Sequence, residues 1–245
     1  MFTKSAEFYD KIYFKFKDYE AEAQKISELI ARENPSARTI LDVACGTGEH
    51  ARILREQHGF EVDGIDLEKK FVSLAQHKNP GSYFKRADMI DFDLDKTYDI
   101  VMCLFSSIGY VKTLDRVILT LKRFYAHVNK GGLILVEPWF PPGALTPGRI
   151  FLNISESDDL KIVRMGYTEV QGRISNLYFE YLIGSHCKVE HKKEKHELGL
   201  FTVDEMKTCF KDAGLKAAFY KDGISDRGLF IARRDMHKTR RSCRM

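Results

Sequence analysis

Leu41-Asp42-Val43-Ala44-Cys45-Gly46-Thr47-Gly48-Glu49-His50 decides the reading of this 245-residue chain. An apolar run over residues 39–44 meets two closely spaced glycines and passes into a helical pattern from about residue 47 to 58. Glycines at 46 and 48 permit a tight turn and the close approach of a ligand to the backbone, and the helix start that follows offers unpaired N–H groups. The same alternation continues downstream, with strands predicted over 61–66, 83–87, 98–105 and 133–137. Helices are predicted over 69–77 and 114–128, and a turn over residues 129–132. Strands alternating with helices imply a parallel sheet, and apolar runs this continuous imply helices on both of its faces.

The flanks complete the plan. Residues 5–33 read as one or two helices with Ile26, Leu29 and Ile30 on one face, stopped by Asn34-Pro35. After Pro138-Trp139-Phe140-Pro141-Pro142-Gly143, residues 151–198 alternate with the period of antiparallel strands: 164–170, 173–183 and 188–198, with Gln171-Gly172 as a hairpin turn. A helix over 203–213 ends at Gly214, and strands over 215–220 and 228–232 follow. The predicted fold is α/β: a doubly wound, mostly parallel seven-stranded sheet with an inserted antiparallel β-layer. Its expected parts are an N-terminal helical cap (1–37), a cofactor-binding core (38–140), the inserted layer over the active site (141–200), a helix and hairpin completing the core (201–234) and a basic tail (235–245).

Composition excludes several classes. Hydrophobic residues make up 44% and charged residues 30%, with six prolines, which rules out a disordered or low-complexity chain. The formal net charge of +4 comes from the end, because the last thirteen residues hold six Lys and Arg against Asp235 alone. The rest is balanced, which argues against a nucleic-acid groove. Five cysteines, Cys45, Cys103, Cys187, Cys209 and Cys243, form no CxxC pair and imply a reducing compartment. No apolar run approaches a membrane span and the N-terminus does not read as a signal peptide, so a cytoplasmic protein is expected. His186, Cys187, Glu190, His191 and His196 do not match a closed zinc spacing, and no metal is expected.

Three acids follow successive strands. Glycine spacing alone leaves a dinucleotide open, since Ala51 is tolerated at the sixth position of G-x-G-x-x-G. Asp42 just before the loop is the discriminating feature: it repels a pyrophosphate but suits the sulfonium and ammonium of S-adenosylmethionine. Asp66, with Leu67 beside it, ends the second strand where a carboxylate can accept both ribose hydroxyls. Asp88 in Arg86-Ala87-Asp88-Met89 can accept the adenine amine, with an apolar neighbour to cover the ring.

With these motifs in place, the chain resembles the class I S-adenosylmethionine-dependent methyltransferases, which share a Rossmann-like sheet. The resemblance implies that Asp42, Ala44, Gly46 and Gly48 line the methionine end of the cofactor, Asp66 the ribose, Asp88 and Met89 the adenine, and that Phe105 sits beside it. A narrower likeness lies in Tyr9-Asp10, Tyr13, Lys17-Asp18-Tyr19, Phe105-Ser106-Ser107-Ile108-Gly109-Tyr110-Val111-Lys112-Thr113, Val136-Glu137-Pro138-Trp139 and Arg227-Gly228-Leu229-Phe230. These resemble the N,N-dimethyltransferases of nucleotide-linked 3-amino-deoxysugars, the enzymes of desosamine and mycaminose biosynthesis. The implied substrate is a thymidine-diphosphate (dTDP) amino sugar, and a homodimer is common among them. The inserted layer matches that family loosely, so a different small amine or hydroxyl acceptor stands as the alternative.

Methyl transfer to a neutral amine needs alignment more than a strong base. Tyr19 is expected at the cofactor's amino-acid end and Tyr13 on the acceptor side. His196, Glu137 and Tyr13 are the candidate proton acceptors, and Ser106, Ser107, Tyr110, Trp139 and Arg227 the candidate acceptor-binding residues, Arg227 against a diphosphate.

Overall fold

The computed structural model describes residues 6–236; the basic end from residue 237, with Cys243, lies outside them. A 3₁₀ turn (Ala6–Phe8) and α1 (Tyr9–Tyr13) lead into α2 (Tyr19–Glu33). There follow β1 (Thr39–Val43), α3 (Glu49–His58), β2 (Glu61–Asp66), α4 (Lys69–Lys78), β3 (Phe84–Arg86) and β4 (Tyr98–Cys103). A second 3₁₀ turn (Ser107–Val111) precedes α5 (Leu114–His127) and β5 (Val128–Val136). Four strands then run consecutively, β6 (Ile150–Ser157), β7 (Leu160–Gln171), β8 (Ile174–Ser185) and β9 (Lys188–Gly199). The chain closes with α6 (Val203–Asp212), β10 (Lys216–Tyr220) and β11 (Leu229–Arg233).

Seven strands pair in the order β10-β11-β5-β4-β1-β2-β3, with β11 alone antiparallel to its neighbours. Side chains of one strand alternate between two cores. Ile40 packs toward Ile26 and Ile30 of α2 and Ile53 and Leu54 of α3, while Leu41 and Val43 pack toward Val117, Leu121 and Phe124 of α5 and Phe210 of α6. Both faces are therefore covered, as the continuous apolar runs require. Three of the helices start at these side-chain caps: Asp18 accepts from Ala21 N–H before α2, Thr113 from Arg116 N–H before α5, and Thr202 forms a capping box with Glu205 before α6.

Two local predictions need correction. Residues 129–132 are not a turn between elements: β5 runs through them with a register shift opposite Tyr98 and Ile100. Gly131, at φ +78°, absorbs the irregularity, and Gly131 N–H and Gly132 C=O bond to Arg234 on the far side. The inserted layer has four strands rather than three, in the order β6-β7-β8-β9. The extra one, β6, carries its apolar residues outward: Ile150, Leu152 and Ile154 are exposed, whereas Asn153 and Ser155 turn in. No helix among the described residues is long and apolar enough to cross a membrane.

Candidate active site

The C-terminal ends of β1 and β2 build the cofactor rim. Beyond β1 the backbone is left-handed at Ala44 (φ 61°), Gly46 (φ 57°) and Gly48 (φ 74°), which curls the loop back over the sheet. Asp66 holds that curl, accepting Gly46 N–H at 2.9 Å through one carboxylate oxygen and Glu68 N–H at 2.8 Å through the other. Gly48 caps α3, and a Cβ there would lie 2.8 Å from both Ala75 Cβ and Asn79 Nδ2, so only glycine fits. Burial and the neighbouring Asp66 push Asp42 up to about 8, and burial raises Asp66 to about 6. The two acids, buried beside each other, hold their protons more tightly than free carboxyl groups do. Gly46, with open space on its Cβ side, Asp66 at the end of β2 and Asp88 just beyond β3 line one cavity, a set of residues that fits S-adenosylmethionine.

The N-terminal segment is latched onto this loop. Thr47 Oγ1 donates to Asp10 at 2.5 Å, and Lys78 bridges Asp10 (2.6 Å) and Glu49 (3.0 Å). Lys17 turns inward, pairs with Glu22 and lies 4.1 Å from the Phe105 ring centroid and 4.9 Å from that of Tyr19. Burial alone would raise Glu22, but its hydrogen bond with His50 and the charge of Lys17 bring it down to about 2. Lys17 shares a small recess with Tyr19, Asp42, Ala44 and Phe105, with its charge met by Glu22. It stood inside a motif singled out above, yet nothing in the sequence marked it as buried.

The main cavity, of about 810 Å³, spans the rim and the space beneath the inserted sheet. Of the residues expected at the cofactor, Ala44, Gly46, Asp66, Leu67, Asp88, Met89 and Phe105 line it; of those expected at the acceptor, Tyr13, Ser107, Tyr110, Trp139, His196 and Arg227 do. The inserted sheet is its roof. Phe179 and Tyr181 of β8 and Glu194 and His196 of β9 are buried on its inner face. Gly166 of β7 leaves room there, since a Cβ would meet Phe151 at 2.5 Å and Phe179 at 2.8 Å. Tyr110 Oη and His196 Nδ1 are 2.8 Å apart, His196 Nε2 is 3.7 Å from Glu194, and Trp139 Nε1 donates to Ser175 at 2.8 Å. Burial holds His196 below its ordinary value and Tyr110 well above.

Gly48, Ser106 and Glu137 lie behind the cavity wall rather than on it. Glu137, expected as a proton acceptor, is 1% exposed and already takes four donors. It accepts Phe105 N–H at 2.6 Å, the Ser225 hydroxyl, and Arg227 Nε and Nη2 at 3.1 and 2.7 Å. Its work is to hold the left-handed corner at Phe105 (φ 51°) and Ser106 (φ 62°), which Ser106 Oγ also ties to Pro138 C=O at 2.7 Å. No group of three or more His, Cys, Asp and Glu side chains among the described residues could hold a metal ion. Arg164, a residue the sequence did not single out, enters the chamber from β7.

Residues 40–132 match the model of a methyltransferase domain. The chain is 36% identical over 227 residues, 92% of its length and 89% of the relative's, to the dTDP-3-amino-3,6-dideoxy-alpha-D-glucopyranose N,N-dimethyltransferase of Streptomyces fradiae. Among solved structures it is similar to DesVI of Streptomyces venezuelae, with a TM-score of 0.88, 30% identity and coverage of 94% of this chain and 98% of that one. It is also similar to S-adenosylmethionine-bound CalS10, an amino pentose methyltransferase from Micromonospora echinaspora, with a TM-score of 0.81, 29% identity and 90% and 93% coverage. A rim built for this cofactor, a roofed chamber beside it and a likeness that runs through both halves lead to one conclusion: the chain belongs to the family of S-adenosylmethionine-dependent methyltransferases that includes these amino-sugar N,N-dimethyltransferases.

Proposed function

We propose that the protein methylates the amino group of a dTDP-linked amino-deoxysugar. The observation that carries this reading is the reach of the likeness: it covers 92% of the chain and therefore includes the inserted sheet that roofs the acceptor chamber. When bound, S-adenosylmethionine supplies an electrophilic methyl on its sulfonium sulfur. Tyr13 and Phe105, edge to face with centroids 5.4 Å apart, mark the boundary between the two halves of the cavity. The chamber walls hold the amine neutral and in line, so alignment supplies most of the acceleration. Once the nitrogen has gained its methyl, its proton passes to the Tyr110–His196 pair, His196 being held neutral by burial. Glu137 is assigned to positioning Phe105 and Arg227.

The test is incubation with S-adenosylmethionine and dTDP-3-amino-3,6-dideoxyglucose, followed by mass spectrometry. Two successive methyl increments are expected. Binding of S-adenosylhomocysteine without methylation of any amino-sugar nucleotide would transfer the reading to another small amine or hydroxyl acceptor.

Cys45, Cys103, Cys187 and Cys209 are free thiols, which supports work in the reducing cytoplasm. The outer face of the roof exposes Ile150, Leu152, Ile154, Met165 and Leu182, an apolar surface suited to a second copy. Sedimentation of the wild type as a dimer and of Leu152→Lys as a monomer would establish that assembly.

A further inference from the structure

One ammonium group joins three separate parts of the chain beside the cofactor rim. Lys78, the last residue of α4, donates to Asp10 Oδ2 of α1 at 2.6 Å, to Glu49 Oε2 at the start of α3 at 3.0 Å and to Thr47 Oγ1 of the glycine loop at 3.3 Å. A lysine ammonium has three N–H donors, and all three are taken. The Thr47 hydroxyl in turn donates to Asp10 Oδ1 at 2.5 Å, and Arg52 donates to the other Glu49 oxygen at 2.6 and 3.0 Å. Both oxygens of both carboxylates are thereby used.

What this contact fastens is α1. A helix of five residues with no side-chain cap at its start has little stability of its own, so its place is set by what it touches. Tyr9 and Tyr13 of α1 line the main cavity, and Tyr9 also walls the small recess that holds Asp42 and Gly46. Their rings rest edge-on against Phe71 and Phe105, with centroids 5.0 and 5.4 Å apart, and Lys11 C=O accepts from Ser155 of the roof at 2.5 Å. The link after α1 exposes Phe14 and Phe16. Beyond it α2 is anchored, since Ala23, Ile26 and Ile30 are buried and Glu22 meets His50 of α3 at 2.8 Å. The boundary between anchored and lightly held chain therefore falls in this link, and α1 is the movable piece over the cofactor cleft. Its ion pair is 21% exposed at Lys78 and 22% at Asp10, so water can compete for it.

We propose that Lys78 is a positioning residue for cofactor exchange: it latches α1 across the cleft, and release of that latch is the step that admits S-adenosylmethionine and discharges S-adenosylhomocysteine. The inference rests on the cofactor of the family and is independent of the acceptor's identity. The cleft must open once for every methyl transferred, and a latch of charges within reach of water suits that cycle, because each group is resolvated as it parts. The buried pair of Glu137 and Arg227 could not serve in the same way, since separating it strands both charges.

Exchange kinetics test the proposal. Association and dissociation rates of labelled S-adenosylhomocysteine are measured at low and high salt, release being followed by a chase with unlabelled compound. In Lys78→Met both rates are expected to rise by about tenfold or more, the factor lost with a charge-assisted hydrogen bond, while Kd moves by less than about threefold. The wild-type dissociation rate should climb with ionic strength, and that of Lys78→Met should not. Lys78→Arg keeps the charge and is expected to restore both rates to within about threefold of wild type. Asp10→Asn should raise both rates, as Lys78→Met does. A rise in the dissociation rate alone, with Kd weakened in proportion, would make Lys78 a support of the bound cofactor and overturn the gating role. Rates within about twofold of wild type in both Lys78→Met and Asp10→Asn would overturn the latch itself.

Discussion

Tyr110 Oη and His196 Nδ1 stand 2.8 Å apart although 86 positions separate them in the chain. The contact joins the 3₁₀ turn after β4, in the part of the chain that builds the main sheet, to β9 of the roof. It is both a seam between the main sheet and the roof and a pair of titratable groups on the cavity wall.

Tyr110→Phe and His196→Asn are therefore expected to lower kcat by roughly tenfold or more with little change in the KM for S-adenosylmethionine. Steady-state kinetics at saturating acceptor would show it. The fall should narrow above pH 9, where solvent relieves the product ammonium of its proton; a uniform loss at every pH would reduce the pair to a structural seam.

Asp66 orders the glycine loop, and it is the residue expected at the cofactor's ribose. Asp66→Ala removes the acceptor for Gly46 N–H and Glu68 N–H, so affinity for S-adenosylhomocysteine is expected to fall by about a hundredfold or more. Asp66→Asn keeps the size but turns half of the acceptor into a donor, and an intermediate loss is expected. Calorimetry on the two variants checks the order.

Cofactor binding should depend on pH in a particular sense. Asp42 and Asp66 have folded-state values raised to about 8 and about 6, so each binds its proton more tightly folded than unfolded. Their contribution to the stability of the cofactor-free protein is fully present at low pH and is lost as pH rises through about 6 and then about 8. The sulfonium and ammonium favour ionised Asp42, so affinity for S-adenosylmethionine climbs over the same range. The melting-temperature gain on adding cofactor should be larger at pH 8.5 than at pH 6, and larger for S-adenosylmethionine than for uncharged-sulfur S-adenosylhomocysteine. Asp42→Asn should flatten that difference while stabilising the cofactor-free protein at pH 8.5.

Glu137 and Arg227 form a buried pair, with side chains 1% and 14% exposed. Removing one partner strands the other, so Arg227→Met is expected to cost about 3 kcal/mol or more in denaturant unfolding. The double variant Arg227→Met with Glu137→Gln should be less destabilised than the sum of the single changes, because the leftover charge goes too.

Gly48→Ala should destabilise by about 2 kcal/mol or more, since it combines a left-handed backbone with the 2.8 Å approach to Ala75 Cβ. Urea unfolding measures it; Gly46→Ala, at a similar φ but facing open space, is the milder control.

The cofactor half was legible because its signals are local. A strand, two glycines and a helix start lie within ten residues, and each acid sits at the end of its own strand. The roof was harder. Strand β6 inverts the usual code, placing Ile150, Leu152 and Ile154 outside so that Asn153 can meet Arg164, and an alternation read for its apolar face points the wrong way. Glu137 was misjudged for a related reason: a carboxylate at a strand end reads as chemistry, and only the fold brings Ser225 and Arg227 to it across 88 and 90 positions. Arg164 carried no local mark, since a charge in an alternating strand ordinarily faces water.

The whole roof is one uninterrupted excursion. The chain leaves the main sheet after Val136, makes four antiparallel strands in succession from Ile150 to Gly199, and rejoins the core at Val203. Every roof residue over the acceptor is thus encoded by a single continuous stretch of gene, while the cofactor rim is encoded before it. Such a layout confines substitutions in the roof to one stretch of sequence and leaves the strand ends that build the rim outside it.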